Sequence, residues 1–262
     1  MTANALTYAR FFLAACRREV CNRYMNSTFG VLWLFLNPVL QLAIYYFVFE
    51  IIFQIKFNTA AGQNFITFLA VGLWPWVAFS EALVSGTNAI DKHKDLLKKI
   101  YIPSSIFVAV EVIVPFAIHF IGLIFALLVI RLFLGQSIEF VWLPIVLLVY
   151  VIQCGFCLGL SLLLAGLQVF LKDVAQILTP IVMVWFYLTP VIYPPHLVPE
   201  GLQVILQYNP LSHFVFAYRE LLLAGNLPSV GVWGWLFCFA VVSVFLGFAV
   251  FKRLSTRFED MF

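Results

Sequence analysis

Residues 91–105 read DKHKDLLKKIYIPSS, and the first nine positions hold six charged side chains: Asp91, Lys92, Lys94, Asp95, Lys98 and Lys99. The rest of the 262-residue chain is nearly free of charge, with 64% hydrophobic and 10% charged residues and a mean hydropathy of +1.04. A water-soluble domain carries about 25% charged residues. This chain has too little polar surface to cover its apolar side chains, so lipid must solvate them. The quoted stretch therefore reads as a polar interruption between two membrane spans.

Working outward from it, apolar runs cover residues 31–53, 65–87, 106–133, 141–169, 177–193 and 230–251. Their lengths are near the roughly 20 residues that carry a helix across the hydrocarbon core. The alternating pattern of a membrane barrel is nowhere sustained. The expected fold is an all-α membrane protein of six transmembrane helices in one domain, with an arm at 1–30, a span region at 31–251 and a tail at 252–262. Six spans put both ends on one side. Arg10, Arg17, Arg18 and Arg23 of the arm, Lys92, Lys94, Lys98 and Lys99, then Lys172, Lys252, Arg253 and Arg257 all fall there. Only Lys56, Arg131 and Arg219 of the 15 basic residues are left for the other side. The positive-inside rule then places both termini and residues 91–105 in the cytoplasm.

In the arm, Leu6, Ala9, Leu13, Cys16, Val20 and Tyr24 recur at helical spacing, while Arg10, Arg17 and Arg18 lie off that stripe. This predicts an N-terminal amphipathic interface helix lying among the lipid headgroups. Arg10, Arg17, Arg18 and Arg23 are its candidate headgroup contacts. Residues 13–16, LAAC, look like a lipoprotein processing site, but the apolar stretch before them is too short and Arg17 and Arg18 follow directly, so no cleavage is expected.

Cys154 and Cys157 form C-x-x-C inside an apolar run, which argues for packing over redox or metal chemistry. Gly155 and Gly159 form G-x-x-x-G, and with Cys157, Ser161, Ala165 and Gly166 they make a small-residue run that lets another helix approach closely. Cys16, Cys21 and Cys238 outline no disulfide framework.

Residues 179–195, TPIVMVWFYLTPVIYPP, hold Pro180 and Pro190, each after a threonine, and predict a bent helix at a cavity or moving seam. Beyond them, helical stretches near 197–208 and 211–224 flank Asn209-Pro210 and include Glu200, Arg219 and Glu220. Each is short for a crossing, so a re-entrant helical hairpin is expected between the fifth and sixth spans; two short full crossings give the same topology.

Intramembrane ionisable residues are functional candidates. Glu50 and Arg131 lie near the outer ends of their spans, and Glu81, Glu111 and His119 lie deeper. The two deeper carboxylates are expected to pair with basic or polar neighbours, and His119 to pack as a hydrogen-bonded residue; a proton pathway is the competing reading. Aromatic residues are 18% of the chain. Trp33, Tyr45, Tyr46, Trp185, Phe186, Tyr187 and Tyr193 are candidates to line a sugar path, because ring faces pack on pyranose C–H groups while Tyr and Trp edges bond hydroxyls. Trp and Tyr also gather at membrane interfaces for purely structural reasons.

Within the quoted stretch, Asn88 can cap a helix with Asp91 three residues on, Asp95 precedes Lys99 by four, and Ile102-Pro103 ends the element. Taken in order, the basic arm, FGVLWLFLNPVLQLAIYYFVF (29–49), FLAVGLWPWVAFSEAL (68–83), TNAIDKHKDLLKKIYIPSS (87–105) and YNPLSHFVFAYRELLLAG (208–225) resemble the permease subunit of ABC-2 type polysaccharide exporters. These serve O-antigen, capsular polysaccharide and teichoic acid.

The resemblance implies a bacterial cytoplasmic (inner) membrane location. It implies two permease copies with two ABC ATPase subunits, and a lipid-linked polysaccharide moving between the permeases along a path lined by the first and fifth spans. The loop between spans two and three becomes a coupling helix docked on the ATPase, with Asp91, Lys92, Lys94, Asp95, Lys98 and Lys99 steering and Leu96, Leu97 and Ile100 in contact. ATP and Mg belong to the partner, and no cofactor or metal is expected on this chain. A drug or small-lipid exporter of the same architecture is the alternative. The sequence holds no G-x-x-x-x-G-K-[ST] loop and no recognisable catalytic constellation, so a separate ATPase is expected and enzymatic activity is not. Membrane lipid is an expected partner; nucleic acid is not.

Overall fold

Hydrocarbon offers no water to pair with backbone groups, so a span must satisfy its own. The computed structural model describes residues 5–24, 29–52, 64–98 and 102–258, and every regular element among them is helical. In chain order these are α1 (Ala5–Tyr24), α2 (Trp33–Tyr46) running into a π-helical turn (Phe47–Ile52), and α3 (Phe65–Thr87). The single-turn helices α4 (Ala89–Lys92) and α5 (Lys94–Leu97) follow, then α6 (Ser105–Phe133), α7 (Leu143–Gln168) and α8 (Val174–Leu188). Last come α9 (Gln203–Tyr208), α10 (Pro210–Arg219) with a π-helical end (Glu220–Ala224), and α11 (Val230–Ser255).

Among the described residues four helices, Phe65–Thr87, Ser105–Phe133, Phe140–Gln168 and Val230–Ser255, are long and apolar enough to cross a membrane. The expected first span falls on α2 and its π-helical turn. The expected fifth, 177–193, is α8, which stops at Leu188 because Thr189 is extended (φ −100°, ψ 134°), the geometry favoured before a proline such as Pro190. At 15 residues α8 rises only about 22 Å, short of the roughly 30 Å core.

Helix α3 is the centre of the bundle. In its most apolar window 78% of residues are buried, against 28% for α11, which fits a helix apolar on all sides. It packs against α2, α6, α7, α8 and α10, and Trp74 and Trp76 sit in its buried surface. Helix α7 lies between α3 and α11, and small residues set both contacts. Gly159 meets Gly247 where α7 crosses α11, so closely that a Cβ on either would overlap the other helix's backbone. On the side toward α3, a Cβ at Gly86 would lie 2.6 Å from Ser161 Oγ. Gly155, the other half of the predicted motif, has open space beside it. Cys157 is buried with its thiol 3.7 Å from the Phe79 carbonyl, and all five cysteines are free thiols.

Helices α9 and α10, of 6 and 10 residues, fold back on the end of α8. Asn209 joins them. Its side-chain oxygen caps α10 by accepting from Leu211 N–H at 3.1 Å and also accepts from Trp185 Nε1 at 2.9 Å. Its amide donates to the Leu188 carbonyl at 3.1 Å and to Thr189 Oγ1 at 2.9 Å. Arg219 is buried, with its guanidinium 3.4 Å from the centre of the Phe68 ring. It donates to the Pro190 carbonyl at 2.6 Å and the Val191 carbonyl at 2.8 Å. The two polar residues thus satisfy the carbonyls that the broken end of α8 leaves open.

Candidate functional site

The loop between α3 and α6 is not the single capped helix its sequence predicts. Asn88 adopts helical angles with no capping bond, and its amide instead donates back to the Val84 carbonyl at 2.9 Å. His93 (φ −108°) separates α4 from α5. Ala89 and Ile90 plug α4 into a buried cluster with Val108 of α6, Leu162, Ala165 and Val169, and Phe251 of α11. The loop is therefore seated on three long helices, with its polar side chains around the rim.

Those side chains divide into two sets. Lys92 turns inward to Glu19 of α1 at 2.8 Å and Glu111 of α6 at 2.7 Å. Arg23 of α1 pairs with Glu19 at 2.9 Å and with Glu81 of α3, and lies 3.9 Å from Glu111. Arg23, Glu19, Lys92 and Glu111 so form a closed ring of alternating charge that joins α1, α4 and α6. Glu81 extends it to His119 at 2.7 Å, and His93 bonds Glu111 at 3.0 Å. Glu19 and Glu111 are 4% and 1% exposed, where an unpaired charge is very costly. Asp91, one residue from Lys92, pairs with Lys172 at 2.6 Å.

The outward set is Asp95 and Lys98, both exposed, with Leu96 and Lys94 half-buried and Leu97 packed on the cluster below. Lys99 and Ile100 lie outside the described residues. Burial alone would raise the Glu19 carboxyl, but hydrogen bonds and charge from Lys92 and Arg23 outweigh it and hold its pKa below the ordinary value. Burial would lower the Lys92 ammonium, and Glu111 with Glu19 more than reverses that. Glu19, His93 and Glu111 bring three ligand atoms within 4.8 Å of one another, the spacing of a cation site. Lys92 Nζ stands between the two carboxylates and already supplies the positive charge.

The arm follows its predicted amphipathic pattern in part. Leu6 and Leu13 are 70% and 67% exposed, and Arg10, Arg17 and Arg18 are exposed beside them. Cys16 of the same stripe instead joins Phe12 and Ala15 against Val110, Val114 and Ile118 of α6. Arg23, expected at the headgroups, points into the ion ring, because three carboxylates converge on it. Glu19 carries a readable signal, an acid four residues before Arg23 in an otherwise basic helix.

The rings expected to line a sugar path sit in unlike surroundings. Phe186 is a correction: it is 7% exposed, packed between Tyr45 at 6.2 Å and Trp76 at 5.4 Å, because it faces α3. Trp185 is tied to Asn209. Tyr187 is 53% exposed, and Tyr193 donates its hydroxyl to the Tyr187 carbonyl at 2.9 Å. Trp33 contacts Phe29 edge-on at 6.1 Å, and Tyr46 is half-buried. Glu81, Glu111 and His119 are all engaged in the ring and its extension.

The ABC-2 type transporter family model matches residues 10–223. The O-antigen export system permease protein RfbA of Myxococcus xanthus is 30% identical over 257 residues, covering 97% of this chain and 94% of the relative. The protein of the same name from Klebsiella pneumoniae is 27% identical over 241 residues, 91% and 90% of the two chains. The polysialic acid transport protein KpsM of Escherichia coli is 25% identical over 252 residues, 93% and 92%. The family match begins in the arm, passes through the seated loop and ends in the helices folded back on α8, so this multi-pass membrane protein belongs to the ABC-2 type transporter family.

Proposed function

We propose that this chain is the membrane-spanning subunit of an ATP-driven exporter that moves a lipid-linked polysaccharide across a bacterial cytoplasmic membrane. The observation that carries the reading is the end-to-end similarity to two proteins named as O-antigen export permeases and one named as a polysialic acid transport protein, each aligned over nine-tenths or more of this chain. Six spans follow if α2 with its π-helical turn and α8 cross beside the four long helices, with α9 and α10 re-entrant. Both termini and the 88–98 loop then face the cytoplasm. Two copies enclose the path, and two separate ATPase subunits bind ATP and Mg.

The loop geometry supports a docking role. Asp95 and Lys98 project outward with Leu96 between them, and Lys99 follows in sequence. The ion ring and the Ala89–Ile90 plug brace the loop from behind. A braced foot transmits force where a mobile loop would absorb it. Helix α8 exposes Ile177, Ile181, Val184, Tyr187 and Leu188, a face for lipid or the second copy. Tyr187, Tyr193, Trp33, Tyr45 and Tyr46 remain the candidate path-lining rings, with Trp185 held by Asn209, and Arg10, Arg17 and Arg18 remain the candidate headgroup contacts.

The docking role is tested by reversing charge at the tip, Asp95→Lys with Lys98→Glu. Co-purification of the ATPase is expected to fall about tenfold, because charged contacts set orientation and encounter in such an interface. The chain itself should still accumulate, since neither side chain is buried. Undiminished association together with undiminished export would show that the loop tip is not the docking surface.

A further inference from the structure

Helix α8 is held weakly along its length and firmly at its two ends. Only Leu178, Val182 and Phe186 of its residues are buried, and Pro180 interrupts its hydrogen bonding. Its far end is fixed by Asn209 and Arg219. Its near end is fixed by a second polar knot, which also holds the loop that carries the docking tip. Asp91 Oδ1 accepts from Lys172 Nζ at 2.6 Å, and its Oδ2 accepts from Gln168 Nε2 at 3.3 Å. The same Gln168 amide donates to the Lys172 carbonyl at 3.3 Å, while its oxygen accepts from Ala175 N–H at 2.9 Å, in the first turn of α8. Gln168 is 5% exposed, so its amide is locked with every bond pointing at a different element: α4, the α7–α8 connection, and α8.

We propose that Gln168, together with the Asp91–Lys172 pair, is a hinge node that carries displacement of the 88–98 loop to the head of α8. This rests on the exporter reading above. Asp91 belongs to the charged stretch expected to dock on the ATPase, yet its carboxylate is already taken up by Lys172 and Gln168. It is a positioning residue, and docking is left to Asp95, Leu96 and Lys98. Loop and helix head share one residue, so they move together and α8 tilts about its fixed far end. An ion pair as exposed as Asp91–Lys172 adds little to stability, so breaking it should disturb coupling while leaving the fold intact. Spatial intermediacy alone does not demonstrate coupling; a charge-swap cycle does.

The test uses the permease with its ATPase in native membranes and reads three quantities: ATPase co-purified, ATP hydrolysed, and glycan exported per ATP. If no ATPase co-purifies with the wild-type chain, the exporter reading fails and takes this inference with it. Where the wild type couples, Asp91→Lys and Lys172→Asp alone are expected to lower glycan per ATP about tenfold, a typical coupling magnitude, with ATPase binding retained. The double swap should restore most of it. Gln168→Leu keeps volume, removes the bonds to all three elements, and should show the same loss. Unchanged glycan per ATP in the single variants, no recovery in the double swap, or loss of ATPase binding in step with export each overturns the node.

A second measurement covers the case in which the single variants fail to accumulate. Asp91→Cys with Lys172→Cys, bridged by a short bis-maleimide, should regain export beside its single-cysteine controls. Bridging that leaves export absent overturns the proposal, as does full export without the bridge.

Discussion

Gly247→Leu is expected to stop the chain from accumulating as a folded protein. At the crossing of α7 and α11 the two backbones touch through Gly159 and Gly247, and a Cβ at 247 would fall on the Gly159 carbonyl. Backbone cannot step aside as a flexible side chain does, so the helices must separate along their whole contact. Helix association in lipid depends on close packing of small residues. Overpacking costs roughly 1–3 kcal/mol even where side chains can adjust; about 3 kcal/mol or more is expected here. That is a large part of the roughly 5–15 kcal/mol that stabilises a folded domain. Gly155→Leu is the control, since nothing lies within 4 Å of the added Cβ. Yield and thermal unfolding in detergent should separate the two variants, and equal behaviour would mean that the crossing is looser than described.

Lys92→Met should release the arm. The substitution keeps an unbranched side chain but leaves Glu19 and Glu111, which are 4% and 1% exposed, sharing the one cation Arg23, with His93 the other partner of Glu111. Removing one partner of a buried pair costs about 3–5 kcal/mol. Lys92 is 44% exposed, so water reaches one side of the ring, and Arg23 still faces Glu19; a cost below that range, about 2 kcal/mol, is expected. The readout is hydrogen exchange across Ala5–Tyr24, which should quicken while α7 and α11 stay protected.

The same ring gives the wild-type arm a defined pH response. Glu19 is held below its ordinary pKa, so its contribution is present above the usual glutamate value of about 4.3 and is lost as pH falls through the depressed one. Lys92 is held above its ordinary pKa, so its contribution is present below the usual lysine value of about 10.4 and is lost as pH rises through the raised one. The contribution of this pair to attachment of the arm should therefore weaken in acid and in strong base. Exchange in the arm that is the same in wild type and variant would remove the ring from the account.

What the sequence made legible follows from which interactions are local. Long apolar runs such as 106–133 need no tertiary information, since lipid demands helices of that length. The turn at Asn209-Pro210 was readable because capping acts within two residues. The end of α8 was set too late because the apolar run continues to Tyr193, although Pro190 marked the break. The ring was beyond reach for another reason: Glu19 and Lys92 are 73 positions apart, and charge spacing shows available partners without showing which ones meet.

In the arm, one helix carries two usable faces. Of the regular stripe Leu6, Ala9, Leu13, Cys16, Val20 and Tyr24, the leucines and Val20 are exposed while Cys16 docks on α6. The docked face mixes Phe12, Ala15 and Cys16 with Glu19 and Arg23, which no apolar periodicity reports. Phe186 and Tyr187 are neighbours that point apart by the roughly 100° of one helical step. Only the position of α3 decides which of them is buried. Gln168 was invisible because an amide near a helix end has no pattern until its three partners are in place.

We propose above that this chain is the membrane half of a conduit driven by a separate ATPase. The most direct measurement places the purified chain in liposomes with its ATPase and a lipid-linked polysaccharide, and follows glycan crossing the bilayer. Transport is expected only when both proteins and ATP are present, with loss of transport on Asp95→Lys with Lys98→Glu. Glycan moved at the same rate by this chain alone, or ATP hydrolysed by the complex with no glycan crossing, would contradict it.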